Sequence, residues 1–335
     1  MKVKLKDIAT NSGYSVSTVS RVLAGSENIS LAARKVILQT AFQLGYPLSE
    51  THEISEAKND TDVRDVVALV TGFAVGEFYA ALYRGLHESA ISNNIRLYLL
   101  GITNKHEVFD FIEDLKNHNF DGAILFAPEF NHRDYKKFKS LLPRNFPVVS
   151  NGPIENPVFT TISFDGYSGG YLAAKHLQQR GYKKLGIVRG PIERAESRFR
   201  ANGFRDYIEQ SAELQLAWSH EGNFKYDSGQ KAFDEFNQLQ DKPEALFICN
   251  DTMAFSFMVA ARDNNVSIPQ DVAIVGYDNQ TISWQFSPSL TTINTDYQRL
   301  GQASFDRLQD LIEDSNPHQG VFSQIPVGLI QREST

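Results

Sequence analysis

Residues 16–25 read VSTVSRVLAG, a short stretch whose two faces differ in chemistry. Its apolar residues recur at helical spacing: Val16, Val19, Val22 and Leu23. The opposite face carries small polar side chains and one long cation: Ser17, Thr18, Ser20 and Arg21. This periodicity predicts an amphipathic helix, and Ser15 directly before it is a good N-cap.

Two further helical patterns flank this stretch. Residues 5–13, LKDIATNSG, predict a helix that ends at Gly13, only a short turn before Ser15. A third helix is predicted to begin at Ser30 and to stop at Gly45, before Pro47. Its expected apolar stripe is Ala33, Val36, Ile37, Ala41 and Leu44. Two helices joined by a tight glycine-containing turn and braced by a third form a helix-turn-helix unit.

The polar face of the second helix suits the major groove of DNA. Short side chains let the backbone approach closely, hydroxyls can hold phosphates, and the Arg21 guanidinium can fork onto guanine. A generic three-helix packing module is the alternative interpretation, and the chemistry of this face leaves it open.

The distribution of charge fits a nucleic-acid-binding head. The chain of 335 residues has a formal net charge of -7, but residues 1–47 hold six cations and two acids. A small basic head therefore precedes a large acidic body, and only the head needs to meet a polyanion. The single cysteine, the lack of an apolar signal core and the lack of a long apolar run predict a soluble cytoplasmic protein without membrane contact.

Residues 48–65, LSETHEISEAKNDTDVRD, form an acidic segment with six acids and two cations. Little in this segment can be buried, so it predicts a mobile connector.

Residues 66–335 alternate strand-like and helix-like patterns. Apolar runs such as VVALVTG, GAILFAP, KLGIVRG and VAIVGYD precede helical segments. Continuous apolar strands separated by helices predict an α/β fold with parallel sheets covered on both faces. Because the runs fall into two sets, we expect two similar subdomains in tandem, with a ligand in the cleft between them.

Polar residues collect at the expected carboxyl ends of these strands. Asn250 and Asp251 follow one strand, Asp278 ends another, and Asp165 precedes a glycine-rich helix start. Carboxylates and amides supply the paired donors and acceptors that hold a polyhydroxylated ligand. The alternative is that each residue only caps the helix that follows it.

Both parts of the chain resemble one family. The segment KDIATNSGYSVSTVSRVLAGSENIS, followed by ARKVILQTAFQLGYP, resembles the headpiece of LacI/GalR-type bacterial transcription regulators. The body, with SGGYLAAKHLQQRGYKKLGIV, ICNDTMAF and VSIPQDVAIVGYDN, resembles their periplasmic-binding-protein-like core. The resemblance implies a helix-turn-helix headpiece at 1–47, a linker at 48–65, and a ligand-binding and dimerisation core at 66–335.

The resemblance also implies roles for individual residues. Residues facing base edges would be Val16, Ser17 and Arg21, and residues near phosphates would be Ser15, Thr18, Ser20 and Asn28. Arg198 would fork onto ligand hydroxyls or a carboxylate, and Asp278 would close the other side, helped by Asn250 and Asp251. Three aromatic rings would stack on an apolar sugar face or on a base: those of Phe78, Tyr79 and Phe224. Three departures are Ala24, where an asparagine is usual; GE at 76–77 before Phe78, where NP is usual; and the acidic linker, which lacks the usual leucine-bearing hinge helix.

The implied function is a ligand-responsive repressor of sugar uptake or catabolism genes. It would bind a palindromic double-stranded operator as a homodimer and a sugar-like effector in the cleft, with no cofactor and no metal. A sugar- or nucleoside-processing α/β enzyme with an accessory head is the alternative. Against it, the chain has no GxGxxG, HExxH or P-loop string, and Cys249 lies in an apolar run that indicates a buried thiol.

Overall fold

The computed structural model describes residues 3–24, 29–46, 66–72, 77–102, 106–117, 120–314 and 320–335. These residues form two compact units, one on each side of the gap at 47–65. The predicted linker at 48–65 and Asn28 lie outside the described residues, so the predictions made for them stay predictions.

The N-terminal unit contains the three predicted helices. They are α1 (Leu5–Ser12), α2 (Val16–Leu23) and α3 (Leu31–Gln43). Their buried apolar side chains form one core: Ile8, Ala9, Val19, Val22, Ile37 and Ala41. The predicted stripe of α3 is wrong at Val36, whose side chain is 39% exposed, because the core meets the neighbouring positions of that helix.

The predicted ends of these helices are also present. Gly13 adopts a φ of 75° and its N–H donates to the Ala9 carbonyl, which closes α1. Ser15 caps α2 by accepting a hydrogen bond from the Thr18 N–H at 3.2 Å. A turn of this kind sets α2 against α1 with very few connecting residues.

The C-terminal unit has two six-stranded sheets. The first sheet contains β1 (Val66–Gly72), β2 (Arg96–Ile102), β3 (Gly122–Phe126), β4 (Val148–Ser150), β5 (Thr160–Phe164) and β11 (Phe322–Ile325), in the order β11-β5-β4-β3-β1-β2. All of its pairings are parallel. Its helices are α4 (Phe78–Ser92), α5 (Glu107–Asn117), α6 (His132–Leu141) and α12 (Tyr297–Glu313).

The second sheet contains β6 (Lys184–Arg189), β7 (Gln215–Glu221), β8 (Ala245–Ile248), β9 (Ala273–Asp278), β10 (Thr291–Asn294) and β12 (Gly328–Ile330), in the order β12-β10-β9-β8-β6-β7. Only the β10–β12 pair is antiparallel. Its helices are α7 (Gly166–Gln179), α8 (Ala195–Glu209), α9 (Tyr226–Gln238), α10 (Asp251–Asp263) and the short α11 (Ile282–Gln285). The predicted parallel α/β fold is confirmed.

The two subdomains are interleaved along the chain, so the expectation of a plain tandem is wrong. The chain passes from the first sheet to the second after β5, returns between β10 and α12, and crosses again between β11 and β12. The return places α12 on the first sheet, where Leu300, Phe305 and Leu308 pack with Ile124 and Val149. Three strand-to-helix or strand-to-strand connections therefore join the halves.

Two glycines bring α7 and α8 into backbone contact. A Cβ added at Gly170 would lie 1.9 Å from the Arg200 carbonyl oxygen, and one added at Gly203 would lie 1.9 Å from the Tyr167 carbonyl oxygen. Only glycine permits so close an approach of two helices. This contact fixes the position of α8 relative to α7, and with it the positions of the α8 side chains. Among the described helices, none is long and apolar enough to cross a membrane.

Candidate functional site

The outward face of α2 carries the residues predicted to meet DNA. Val16 is 46% exposed, Ser17, Ser20 and Arg21 are exposed, and Thr18 is half-buried. The Ser15 hydroxyl lies 2.8 Å from the Ser17 hydroxyl and 2.7 Å from the Thr18 hydroxyl. The structure thus places a group of hydroxyls at the helix N-terminus, beside exposed Val16 and with Arg21 on the turn that follows. A helix N-terminus with hydroxyls attracts phosphate, and an arginine on the same helix can reach base edges.

The cleft of the C-terminal unit is organised around Arg200 and Asp278. The Arg200 Nη2 atom lies 3.6 Å from Asp278 Oδ1, and its Nη1 donates to the Cys249 carbonyl at 2.5 Å. The guanidinium stacks on the Tyr277 ring with its Cζ 3.7 Å from the ring centroid. Asp278 ends β9 with a φ of 115°, a conformation that is rare outside glycine and is found mainly at functional sites.

Burial and charge set the titration of this pair. Burial raises the pKa of Asp278 to about 6, although the nearby Arg200 charge lowers it, and Glu196 raises it further. Burial lowers the pKa of Arg200, but the combined effect of Asp278, Glu196 and the nearby tyrosines more than offsets this, so the net pKa is raised. The guanidinium is therefore a fixed cation, whereas the carboxyl can gain a proton in mild acid.

Phe224 forms an aromatic wall beside this pair. The Cζ atoms of Arg194 and Arg200 lie 5.1 and 5.6 Å from its ring centroid. Its φ is 65°, and its carbonyl accepts a hydrogen bond from the Asn250 side chain at 2.9 Å. Asn250 also caps α10 by accepting from the Met253 N–H. The structure therefore gives Asn250 a supporting role: it holds the strained backbone that presents Phe224.

The first subdomain supplies a second aromatic group. Phe78 lies 4.1 Å from Tyr79 and 5.0 Å from Tyr297 between ring centroids. Tyr297 in turn makes an edge contact with Phe164 at 4.9 Å. Burial raises the pKa of Tyr297 well above its usual value, and Asp278 raises it further. Since Asp278 belongs to the other subdomain, Tyr297 brings this aromatic group near the Arg200–Asp278 pair.

Asp251 and Asp165 have their oxygens occupied by neighbouring groups. Asp251 is fully buried and accepts hydrogen bonds from the Gln280 N–H at 2.8 Å and the Thr292 hydroxyl at 2.7 Å. Asp165 caps α7 by accepting from the Ser168 N–H and hydroxyl. Asp251 thus holds the turn after Asp278. The ligand contacts predicted for both acids stay predictions.

Two contacts bridge the subdomains at the cleft. Arg198 donates to Glu155 Oε1 from Nε at 2.7 Å and from Nη2 at 2.5 Å. The Glu77 carboxylate accepts from the Thr281 N–H at 2.8 Å. Arg198 and Thr281 belong to the second subdomain, and Glu155 and Glu77 to the first. The structure therefore places Arg198 at a bridge between subdomains and leaves the position beside Asp278 to Arg200.

Sequence reasoning overlooked Arg200, although a signal was available. Along α8, the buried positions Ser197, Arg200, Ala201 and Phe204 follow a helical repeat, and Arg198 falls outside it. Applying that repeat to the segment ESRFRANGF would have turned attention from the first arginine to the second. The positive φ of Phe224 and Asp278 could not have been found in this way, because neither position carries glycine or asparagine.

The described side chains give little support to catalysis. Burial raises the pKa of the Cys249 thiol to about 12, so it stays protonated and unreactive. Among the described residues, no group of three or more His, Cys, Asp or Glu could hold a metal ion. The cleft offers hydrogen-bonding edges and aromatic faces, which suit binding of a small ring compound.

Each of the two units matches a known protein family. Residues 4–47 match the family described as "Bacterial regulatory proteins, lacI family". Residues 174–335 match the family described as "Periplasmic binding protein-like domain". The two matches cover the predicted headpiece and most of the second subdomain, in the order that the sequence predicted.

Relatives match over nearly the whole chain. The transcriptional repressor PurR of Aliivibrio salmonicida is 27% identical over 326 residues, covering 96% of each chain. The PurR of Photobacterium profundum is 28% identical over 332 residues, covering 98% of this chain and 97% of the relative. These relatives are transcriptional repressors, so the alternative of an enzyme is excluded.

Solved structures confirm the fold. The regulator CelR in complex with cellobiose has a TM-score of 0.72 at 24% identity, covering 100% of both chains. The lac repressor dimer bound to operator and the anti-inducer ONPF has a TM-score of 0.73 at 23% identity, covering 100% of this chain and 99% of the other.

Proposed function

We propose that this chain, which belongs to the lacI family of bacterial regulatory proteins, binds a palindromic operator as a homodimer under control of a small effector in its cleft. Its family makes it a DNA-binding, ligand-responsive transcriptional repressor. The dimer, the operator symmetry and the class of effector are the proposal. The observation that carries it is the exposed polar face of α2, which no buried contact explains.

Operator recognition rests on the residues of that face. Base contacts are assigned to Val16, Ser17 and Arg21, because these side chains are exposed on one helix. Phosphate contacts are assigned to Ser15, Thr18, Ser20 and Asn28. A repressor acts where its operator is, so the cytoplasmic location predicted from the sequence follows from this assignment.

A homodimer is proposed on grounds of symmetry. A single headpiece with three short helices reads only a few base pairs, so two copies related by a two-fold axis supply the affinity and length of a specific site. Two-fold symmetry in the protein requires near-palindromic symmetry in the operator. Sedimentation of the full chain with and without operator measures the number of copies bound.

The effector is proposed to lie between the two aromatic groups of the cleft. The predicted contacts are Phe78, Tyr79, Asp165, Arg198, Phe224, Asn250, Asp251 and Asp278, and the geometry adds Arg200 to them. A sugar presents an apolar face to a ring and hydroxyls to Asp278 and Arg200, which supports the predicted control of sugar uptake or catabolism genes. A nucleobase is the second candidate, favoured by aromatic rings on both sides of the cleft.

Coupling between effector and operator is proposed to run through cleft closure. The Arg198–Glu155 and Thr281–Glu77 contacts join the subdomains, so a wider opening of the cleft would break them. A ligand held by both halves would favour that closed arrangement. Such couplings are typically worth about 1–3 kcal/mol, and effector and operator affinities change by the same factor.

Selection of bound DNA from a random pool tests operator recognition. We expect the wild-type chain to enrich a palindrome, and Arg21→Ala to lose preference at one symmetric pair of positions. Lys6→Ala is the matched control, because it removes one exposed positive charge from α1 and should weaken binding without changing base preference. An unchanged base preference in Arg21→Ala would refute the assignment of α2.

A thermal-shift panel of neutral sugars and nucleobases tests the effector site. A compound that stabilises the wild-type chain should lose its effect in Arg200→Met and in Asp278→Asn, since both remove a hydrogen-bonding edge of the cleft. Full retention of the shift in both variants would exclude this cleft as the effector site.

A further inference from the structure

The cleft contains two arginines and two carboxylates that already pair with one another. Arg194 forms an ion pair with Glu196, and Arg200 lies 3.6 Å from Asp278. Both guanidinium groups border the same ring, since their Cζ atoms are 5.1 and 5.6 Å from the centroid of Phe224. Each guanidinium group beside this ring therefore has a carboxylate partner.

Glu196 belongs to the interior of this arrangement. It lies in the first turn of α8, and only 15% of its side chain is exposed. Its charge raises the pKa of Asp278 and of Tyr297, which lie on different subdomains. Glu196 therefore faces the cleft from the second subdomain, together with Asp278, and an incoming ligand meets two carboxylates.

We infer that the cleft selects an uncharged effector and that Glu196 is the residue that excludes phosphorylated and carboxylated ones. This inference rests on the proposed function, because it names the chemical class bound at the proposed effector site. An anion could form an ion pair of its own only if Arg194 or Arg200 left its carboxylate partner, although the Nε atom of each is free to donate a hydrogen bond. That exchange would leave a buried carboxylate without a counter-charge and next to the anion.

The unused hydrogen-bonding atoms of the cleft suit a neutral ligand. Among the described residues, Arg194 Nε, Arg200 Nε, Tyr277 Oη and Asp278 Oδ1 are buried and have no hydrogen-bond partner. The two arginine Nε atoms are donors, the carboxylate oxygen is an acceptor, and the tyrosine hydroxyl can donate or accept. A hydroxylated or heterocyclic ring offers both kinds of group without a charge, whereas a phosphate group brings a negative charge next to the two carboxylates and offers mainly acceptors.

Two neighbouring arginines without carboxylate partners would predict a preference for anionic ligands. Two guanidinium groups beside an aromatic ring are a good phosphate site, because each can donate two parallel hydrogen bonds to the oxygens. The difference here is the carboxylate of Glu196, which occupies Arg194. Removing its charge should therefore convert the cleft from one that rejects phosphate to one that accepts it.

Titration of the full chain with inorganic phosphate, against chloride at matched ionic strength, tests this directly by calorimetry and thermal shift. We expect no stabilisation of the wild-type chain and at least about tenfold tighter phosphate binding by Glu196→Gln. Adding Arg194→Ala to that variant should abolish the gain. Glu193→Gln is the matched control, because it removes one exposed acid just before α8 and should not change phosphate binding.

Two results would overturn the inference. One is phosphate binding by the wild-type chain that Arg194→Ala removes, and the other is a folded Glu196→Gln variant without any gain. A second, independent experiment compares the binding of two pairs of compounds: glucose with glucose 6-phosphate, and adenine with AMP. Preference for a phosphorylated member refutes the inference, and preference for a neutral one supports it. If neither pair binds, the phosphate titration decides.

Failure of the proposed function would look different. It would appear as loss of operator selection by the headpiece, which the phosphate titration does not measure. A chain that selects a palindrome and also binds phosphate through Arg194 would keep its function as a repressor and refute only the neutral effector.

Discussion

The contact between α7 and α8 makes Gly170→Ala a sharp test of how the cleft is held. The new Cβ would lie 1.9 Å from the Arg200 carbonyl oxygen and 2.9 Å from the Phe204 nitrogen. Ordinary contact needs about 3.4 Å, so the helices must separate by about 1.5 Å. Because both clashing atoms belong to the backbone, no side-chain rotation can relieve the strain. The displaced residue is Arg200 itself.

The magnitude follows from two opposed effects. Overpacking of this severity costs about 3 kcal/mol, while alanine in place of glycine inside a helix gains about 1 kcal/mol. We therefore expect the free energy of unfolding to fall by about 2 kcal/mol and Tm to fall by about 4–8 °C. The Arg200–Asp278 separation, now 3.6 Å, would lengthen and weaken effector binding as well.

Urea unfolding followed by tryptophan fluorescence measures this loss. The chain has two tryptophans, Trp218 and Trp284, and both lie in the second subdomain, where the substitution is made. Gly203→Ala should give a similar loss, since it clashes with the Tyr167 carbonyl from the opposite helix. Gly328→Ala is the control, because nothing lies within 4 Å of the added Cβ. A Gly170→Ala chain as stable as the wild type would refute the reasoning.

Three other changes have defined outcomes. Ser15→Ala removes the cap of α2 and should cost about 1 kcal/mol, seen as about fivefold faster hydrogen exchange in that helix; unchanged exchange would contradict the cap. Because the pKa of Asp278 is raised to about 6 in the folded chain, its contribution to stability is present in acid and is lost as pH rises from about 4 to 6. In Asp278→Asn, the free energy of unfolding should not show this decline of about 3 kcal/mol with rising pH. If the wild-type chain and the variant have the same dependence of unfolding free energy on pH, the prediction is refuted. Arg198→Glu should weaken effector binding and the exchange with Glu155→Arg should restore it; no restoration would favour direct contact of Arg198 with the effector.

Much of the fold could be predicted because its signals are local. The apolar runs of β3, β6 and β9 are short, buried and flanked by helices, and the structure has strands at these predicted positions. The caps at Ser15 and Gly13 depend only on neighbouring residues, so they too could be predicted. Patterns of this kind need no knowledge of distant contacts.

The remaining features depend on contacts between distant parts of the chain. The short strands β10, β11 and β12 carry weak patterns and form because they extend existing sheets. Arg198 and Arg200 differ only in which side of α8 they occupy, and the packing of α7 against α8 decides that. The roles of Asn250 and Asp251 behind Phe224 and Asp278 likewise come from tertiary hydrogen bonds. Composition and spacing contain no information on such partners.

The interleaved chain path also constrains how the protein can be made. The first sheet lacks β11 and its covering helix α12 until about residue 325 has left the ribosome. Until α12 has been synthesised, Ile124, Val149 and Ile162 have no Leu300 or Phe305 to pack against, whereas the second subdomain already has all of its strands except β12. The second subdomain is thus able to fold before the first subdomain, most of which precedes it in the chain. A nascent chain stalled before α12 should expose this apolar face to chaperones, and a truncation in α12 should damage the subdomain whose sequence begins some 230 residues earlier.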